Sequence, residues 1–412
     1  MSLSNRPLHV HFVTPKNAQS ATSRYRCHHF AEALSPAVRV LVSAVTDPRI
    51  VFDAPDVVVL HRLRYGGEAG RVIAAARRVG AVVVASVDDL IFSPEYAFQV
   101  GLTSPPDDSA FFAYHRAEAD DHLRTLQACD AAITSTEFLA NEARIALADA
   151  KPVYCLRNFL NAEMAMLGSN AHGLRLRRLA TNPATRTFAY LSGSPTHDVD
   201  FAEIAPVLAS VMNEQAQTRL LLVGTLTLPP MLQPLADAGR VRRHPFVPWR
   251  DLFALTAQAD VTLAPLDASR LFNHAKSEIK ALEAAAVGVP TVATLTKGAS
   301  EADIGMHCRT ATDWHDALTR FANADTQRTD EEALQWIHDH GTVAAHRQTA
   351  LSTFAEIAGL KTGATTGTAT VTRPWRERVM ESLRGAETAW FGRGLKWERH
   401  VRLLKAELRK KG

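Results

Sequence analysis

The segment from Ala264 to Thr294 contains the most informative set of charged residues in the sequence. An apolar run is followed by a loop, and Lys276-Ser277 then opens a predicted helix that runs to Val287. The free N–H groups and positive dipole end of a helix start suit a diphosphate, to which Lys276 adds a charge and Ser277 a hydroxyl. Glu283 falls two turns later on roughly the same face, where a carboxylate can accept hydrogen bonds from both hydroxyls of a ribose.

Two further loops, each after a predicted strand, carry small and basic residues. Gly193 and Ser194 form a small-residue turn, and the glycine lets a ligand approach the backbone closely. After the first strand, Ser23 lies in a hydroxylated turn that is followed by Arg24 and Arg26. Arg24 can make a bidentate contact with phosphate and stabilise charge on a leaving diphosphate. Plain strand-to-helix turns and solvated arginines are the alternatives.

Asp88-Asp89 stands at the carboxyl end of a predicted buried strand. A carboxylate there can orient an acceptor hydroxyl or assist its deprotonation, while the other aspartate would cap a helix. We do not assign the role to either one. Because no third ligand lies nearby in the sequence, a metal site is not expected.

Short, continuous apolar runs that alternate with helical stretches predict parallel sheets covered on both faces. The pattern restarts near residue 186, which predicts an α/β protein with two doubly wound, Rossmann-like domains facing a central cleft. We expect an acceptor-side domain over residues 1–165 and a donor domain over 186–360. A linker over 361–373 and a basic helical tail over 374–412 follow.

The net charge of +3 is too small to indicate nucleic-acid binding, and the tail accounts for it with eleven Lys/Arg against five Asp/Glu. We expect the tail to fold back across the domains, with contact to the inner membrane as the alternative. The basic residues within 240–247 indicate either a basic patch or a solvated strand edge. The absence of a long apolar run, of a signal-peptide pattern and of a C-x-x-C pair predicts a cytoplasmic protein.

The segment after Ala264 resembles the donor-binding signature of the retaining GT-B glycosyltransferases, the glycosyl transferases group 1 or family 4-like enzymes. The family's first Glu falls on Ala275, so the sequence is similar to a branch with the pattern N-x-x-K-S-x-x-K-x-L-E-A. The residues that match this pattern are Asn273, Lys276, Ser277, Lys280, Leu282, Glu283 and Ala284. Asp88 and Asp89 match the D-D-L-x-F motif of the same branch.

The resemblance implies transfer of a sugar from a nucleotide-diphospho-sugar to a glycan or lipid-linked acceptor, in bacterial surface polysaccharide or glycoconjugate synthesis. It implies retention of configuration and no metal cofactor. Glu283 would bind the donor ribose, and His197 would replace the family's phosphate-binding Lys or Arg. Asn273 and Lys280 would complete the donor site.

Two other functions suit the same architecture. A sugar-nucleotide epimerase would need no acceptor, and a non-catalytic nucleotide-sugar-binding protein would show no turnover. A dinucleotide oxidoreductase is not favoured, because no G-x-G-x-x-G follows the first strand.

Overall fold

The computed structural model describes residues 6–47, 54–99, 109–181, 184–193, 197–299, 305–323 and 327–360. These residues fall into two compact units. The first runs to Arg157 and also contains Ser269–Ser277 and the described residues from Arg347 onward. The second contains the described residues of Asn158–Ala268 and Glu278–His346. Ser194 and the predicted linker and tail lie outside the described residues.

The first unit is built on a six-stranded parallel sheet with the order β2-β1-β3-β4-β5-β6. All residues of VVVLH and VVVAS in its two central strands are buried, as expected when helices cover both faces of a parallel sheet. The strands are β1 His9–Thr14, β2 Arg39–Ala44, β3 Val57–His61, β4 Val82–Ser86, β5 Ala131–Thr134 and β6 Val153–Cys155.

Helices of the first unit follow most of its strands, and amphipathic ones such as EFLANEARIA present their buried residues to the sheet. They are α1 Ala21–Ser23, α2 His29–Leu34, α3 Gly67–Arg78, α4 Ser109–Ala128, α5 Glu137–Ala146 and, from the later segment, α10 Leu271–His274. A π-helical turn, Arg24–His28, joins α1 to α2, and Pro94–Gln99 is a 3₁₀ helix.

The second unit repeats the plan with the strand order β12-β11-β10-β7-β8-β9, again all parallel. Its strands are β7 Arg186–Leu191, β8 Thr218–Val223, β9 Val241–His244, β10 Val261–Ala264, β11 Thr291–Thr294 and β12 Met306–Cys308. Strands β7, β8 and β10 carry the apolar residues that form the centre of its core. The doubly wound α/β prediction is therefore confirmed in both units.

Helices of the second unit pack against this sheet and against one another. They are α6 Ala162–Thr181, α7 Asp198–Glu214, α8 Gln233–Asp237, α9 Trp249–Thr256, α11 Ile279–Ala285, α12 Ala311–Asn323 and α13 Gln327–His340, with a 3₁₀ turn at Pro230–Leu232. Helix α14, Val343–Ala358, begins in this unit and continues into the first. Gly168 of α6 allows close packing near the end of α11, because a Cβ atom there would lie 2.5 Å from the Cβ of Ala286.

The chain divides between the units differently from the contiguous ranges 1–165 and 186–360. The predicted ranges leave residues 166–185 unassigned, but most of them belong to the helix α6, Ala162–Thr181, of the second unit. Residues 269–277 join the first unit although the residues on either side of them belong to the second. Phe272 and Ala275 explain this, since both are buried in the hydrophobic core of the first unit.

None of the helices among the described residues is long and apolar enough to cross a membrane.

One buried carboxylate ties α6 to the sheet of the second unit. Asp260 is fully buried just before β10, where it accepts a hydrogen bond from Nη2 of Arg178 at 2.8 Å and from the N–H of Thr187 at 2.7 Å. Nη1 of Arg175, which is also fully buried, lies 3.9 Å from the same carboxylate. Removing a buried counter-charge is costly because the partner cations remain desolvated.

We therefore expect Asp260→Asn to lower the free energy of unfolding by about 3 kcal/mol, because the buried Arg175 and the partly buried Arg178 lose their counter-charge. Urea denaturation followed by circular dichroism measures this. Asp237→Asn is the control, since Asp237 is exposed and accepts a hydrogen bond from Gln233 on the same helix. Equal losses of stability in the two variants would contradict the proposed role of Asp260 in holding α6 to the sheet.

Candidate functional site

Each sheet has one place where the strand order reverses, between β1 and β3 in the first unit and between β7 and β10 in the second. The loops that leave the two strands at such a point diverge, and the crevice beyond their carboxyl ends is the usual ligand site of doubly wound sheets. Most of the predicted site residues lie on the loops at or beside these two points.

In the first unit, Arg62 holds both aspartates of the D-D-L-x-F motif. It directly follows β3, while Asp88 and Asp89 follow the neighbouring strand β4. Nε of Arg62 donates to Oδ1 of Asp88, and Nη2 donates to Oδ2 of Asp89. The backbone of Arg62 has a φ of +49°, an uncommon conformation for a residue with a side chain. One guanidinium therefore fixes the geometry of both carboxylates.

This pairing keeps Asp88 ionised. Burial by itself raises the pKa of Asp88, but the positive charge of Arg62 outweighs it and lowers the pKa to about 2. His61, the last residue of β3, is fully buried, and burial lowers its pKa to about 3, so it is neutral at physiological pH. A carboxylate with so low a pKa is a weak base, so the geometry favours orientation of a hydroxyl over removal of its proton.

Lys276 joins the same cluster. Its Nζ atom lies 3.1 Å from Oδ1 of Asp89 and 4.8 Å from the ring centroid of Phe272. The predicted helix from Lys276 to Val287 is wrong at its start, because α10 ends at His274 and α11 begins only at Ile279. Contacts of Ala275 and Lys276 with the first unit accompany this irregular stretch between the two helices.

The rest of this segment is anchored through its backbone. The N–H of Phe272 donates to Oε1 of Gln99 at 2.8 Å, and Oγ1 of Thr136 donates to the carbonyl of Ala275 at 3.4 Å. Asn273 is buried within this turn, and Ser277 is half-buried at its end. Ser277 is not the N-cap of α11; Glu278 occupies that position.

The loop after β1 separates its two arginines into different environments. Ser23 is buried, and its N–H donates to Oγ of Ser20 at 3.2 Å. The π-helical turn leaves Arg24 partly exposed, whereas Arg26 is 1% exposed. Arg26 donates to the carbonyl of Leu156 at 2.6 Å and its guanidinium lies 4.9 Å from the ring centroid of Phe30. The placement of Arg26 supports a structural role, and Arg24 is the more exposed of the two arginines.

In the second unit, Lys280 lies at the carboxyl end of β7. Its Nζ atom donates to the carbonyl of Leu191 at 2.7 Å and lies 4.5 Å from the ring centroid of Tyr190. Burial raises the pKa of Tyr190, with a further contribution from Asp200. Its hydroxyl therefore stays protonated and donates to the carbonyl of His197 at 3.5 Å.

His197 is held at the start of α7 by a carboxylate that also reaches the neighbouring loop. Its Nδ1 atom lies 3.1 Å from Oδ2 of Asp200, while Oδ1 of Asp200 accepts a hydrogen bond from the N–H of Asp267 at 3.0 Å. Asp267 follows β10, so Asp200 links the two loops that diverge where the strand order reverses. The side chain of His197 keeps 24% of its surface exposed, and it can meet a ligand there.

The backbone after β7 leaves space for a ligand. Gly193 is exposed, and among the described residues other than its chain neighbours no atom lies within 4 Å of the position that a Cβ atom would take. Gly224, after β8, has a φ of +98° and packs directly on Ser192, since a Cβ atom would lie 1.8 Å from the Ser192 carbonyl oxygen. The predicted turn is therefore narrow on the Gly224 side and open at Gly193.

Glu283 lies on α11 and is half-buried, whereas Ala281, Leu282 and Ala284 around it are buried. The carboxylate of Glu283 therefore lies on the partly exposed side of α11. Its position therefore suits the predicted hydrogen bonds to a ribose.

The structure thus collects the predicted residues into two groups. Asp88, Asp89 and Lys276 lie together in the first unit, and Gly193, His197 and Lys280 lie near the carboxyl end of β7 in the second. Within the described ranges, no group of three or more His, Cys, Asp or Glu side chains is placed to hold a metal ion.

Sequence reasoning missed Arg62 and Asp200. A signal for Arg62 was present, because it directly follows a buried strand one strand before the Asp pair, and parallel strands end at the same edge. Asp200 carried no such signal, since an acidic residue in the first turn of a helix is common for reasons of the helix dipole alone.

Residues 197–324 match the family described as Glycosyl transferases group 1. No curated protein sequence matches the chain. Among solved structures, Anabaena Alr3699/HepE in complex with UDP has a TM-score of 0.55 at 12% identity, over 85% of this chain and 100% of that one. Sucrose-phosphate synthase from Thermosynechococcus elongatus has a TM-score of 0.54 at 13% identity, over 85% and 99%.

A third similar structure is the UDP-forming α,α-trehalose-phosphate synthase from Burkholderia vietnamiensis, with a TM-score of 0.55 at 10% identity, over 87% of this chain and 99% of that one. At these identities the likeness shows the fold, which is GT-B. The family match over residues 197–324 and the shared fold together support a glycosyltransferase.

Proposed function

We propose that this protein transfers a sugar from a nucleotide-diphospho-sugar to a hydroxyl of a glycan or lipid-linked acceptor, with retention of configuration and without a metal ion. The observation that carries the proposal is the family match over residues 197–324, which contains His197, Lys280 and Glu283. Two of these residues lie where the second sheet's strand order reverses, which is where such sheets bind nucleotides.

The donor half of the reaction is assigned to the second unit. Glu283 accepts hydrogen bonds from the ribose hydroxyls, and the open backbone at Gly193 admits the diphosphate. Lys280 brings positive charge to the carboxyl end of β7, and His197, oriented by Asp200, donates to a phosphate oxygen when protonated. Fixed positive groups of this kind stabilise a leaving diphosphate electrostatically.

The acceptor half is assigned to the Arg62 cluster of the first unit. Asp89 is the more accessible carboxylate, with 15% of its side chain exposed against 8% for Asp88. Asp89 orients the acceptor hydroxyl, while Asp88 and Arg62 fix its position. Arg24 remains the predicted partner of the leaving diphosphate in this unit.

The proposal is tested by incubating the purified chain with a panel of nucleotide sugars, with and without acceptor extracts, and measuring nucleotide diphosphate release and sugar products. UDP-sugars come first, because one of the similar structures is a complex with UDP and another is a UDP-forming synthase. We expect release of the nucleotide diphosphate to require an acceptor and to persist in the presence of EDTA. A new sugar-nucleotide formed from the donor alone would identify an epimerase instead, and donor binding without turnover would identify a binding protein.

We expect Glu283→Gln to weaken donor binding by about 10- to 100-fold, because hydrogen bonds to a charged group contribute roughly 1.5–3 kcal/mol. The increase in melting temperature at saturating nucleotide sugar, which reflects mass action, measures this. Glu214→Gln is the control, since Glu214 is on the surface of α7 with its side chain 48% exposed. Equal donor affinity in the two variants would remove Glu283 from the site.

Replacing Arg62 should change the pH dependence of turnover. Without that charge, burial dominates and the pKa of Asp88 rises above its ordinary value. Since the ionised form exists only above the pKa, the acid limb of the kcat profile of Arg62→Met should move to higher pH by at least about one unit.

Arg64→Met is the matched control for this experiment. Arg64 lies two residues further along, is 52% exposed and pairs with Glu118 at 2.5 Å. Its profile should coincide with that of the wild type. Coincidence of all three profiles would show that the ionisation of Asp88 does not govern turnover.

A further inference from the structure

The second unit has a cavity of about 640 Å³ at the amino-terminal edge of its sheet. Its walls come from the starts of β7, β8 and β9 and from helices α6 and α9. Apolar side chains form much of the wall, and four arginines line it. These residues are Leu174, Leu220, Leu221, Ala254, Ala257, Arg178, Arg219, Arg240 and Arg242.

This cavity is separate from the candidate donor residues of the same unit. Lys280 and Gly193 lie at the carboxyl end of β7, whereas Thr187 at the start of β7 and Arg219 at the start of β8 line the cavity. A strand of six residues such as β8 spans roughly 20 Å, so the two places are at opposite edges of the sheet.

Three of the arginines carry charges that no carboxylate neutralises within the part of the chain that the structure describes. Arg219 donates to the carbonyls of Ala216 and Thr218 at 2.9 and 2.8 Å. Arg240 donates only to backbone carbonyls and to the hydroxyl of Thr218. Arg242 donates to the amide oxygen of Gln258.

The carboxylate at this edge is already shared. Asp260 is fully buried and serves both Arg178, which lines the cavity, and the buried Arg175. Burial lowers the pKa of Arg240, and the positive charge of Arg219 lowers it further. The two guanidinium groups are therefore close enough to repel each other. Among these described residues, Asp260 is the one carboxylate beside Arg175, Arg178, Arg219, Arg240 and Arg242.

We propose that this cavity binds an organic phosphate, with Arg219 and Arg242 contacting the phosphate oxygens and the apolar walls contacting the organic part. The planar guanidinium matches the geometry of phosphate oxygens and binds them with paired hydrogen bonds. The volume is within the range of small-molecule sites, and it exceeds what one inorganic phosphate ion requires. The phosphate comes either from a soluble ester or from the headgroup of an anionic phospholipid.

The experiment compares the full chain with the double variant Arg219→Gln/Arg242→Gln. Arg240 is left in place, because its side chain also ties three carbonyls of the fold and its removal would confound folding with binding. Arg243→Gln is the matched control, since Arg243 is the next residue on β9, is exposed, donates to the carbonyl of Leu226 and does not line the cavity. Equal urea midpoints establish that all the proteins are folded.

Two probes distinguish the sources of phosphate. Glycerol 3-phosphate is titrated by calorimetry, and sedimentation is measured with vesicles of phosphatidylcholine alone and of an equimolar mixture with phosphatidylglycerol. We expect saturable binding of one probe that falls at least about tenfold in the double variant, since charged hydrogen bonds are lost, and stays within about twofold in the control.

Binding of the soluble ester without a preference for phosphatidylglycerol would identify a free phosphate, and the reverse would identify a lipid headgroup. Two results would overturn the proposal. One is that neither probe binds the wild type, and the other is that the double variant and the control bind as the wild type does or lose affinity equally.

Discussion

All strands of a parallel sheet end at the same edge, and where their order reverses the loops that leave two neighbouring strands must turn in opposite directions. This constraint determines where each unit can hold a ligand. In the first unit it places the loop carrying Arg24 beside the one that begins with Arg62, and in the second it places His197 beside the loop after β10. The chemistry proposed for the protein uses side chains from these loops and from the positions next to them.

Much of the fold follows from the sequence, because the buried parallel strands appear as nearly continuous apolar runs such as VVVLH and VVVAS. Glycines and helix caps then mark where helices end and begin, and the restart of the pattern near residue 186 indicates a second domain. The division of the chain could not be read in this way. Phe272 and Ala275 lie in the predicted loop before Lys276, and the core that buries them is built from residues more than about 100 positions earlier in the chain.

Candidate site residues could be named from the sequence where a residue type has few other uses at its position, and their roles stay predictions. Asp88-Asp89 after a buried strand and Glu283 on a largely buried helix are of this kind. Arg24 and Arg26 are only two residues apart, yet the π-helical turn leaves one partly exposed and buries the other against backbone carbonyls. Charges that meet across strands, such as Arg62 with Asp88, depend on register, which one sequence does not reveal.

The nine residues from Ser269 to Ser277 have a consequence for how this protein can be divided or exchanged with relatives. A gene fragment that encodes everything after residue 157 as one piece would carry Phe272 without the core that covers it. Exposing Phe272, which is otherwise buried, would cost roughly 1.5–3 kcal/mol of folding free energy. Exchanging the second unit with that of a related protein therefore requires two further crossover points, one on each side of residues 269–277. A chimaera joined at a single position would place a foreign copy of this segment against the core of the first unit.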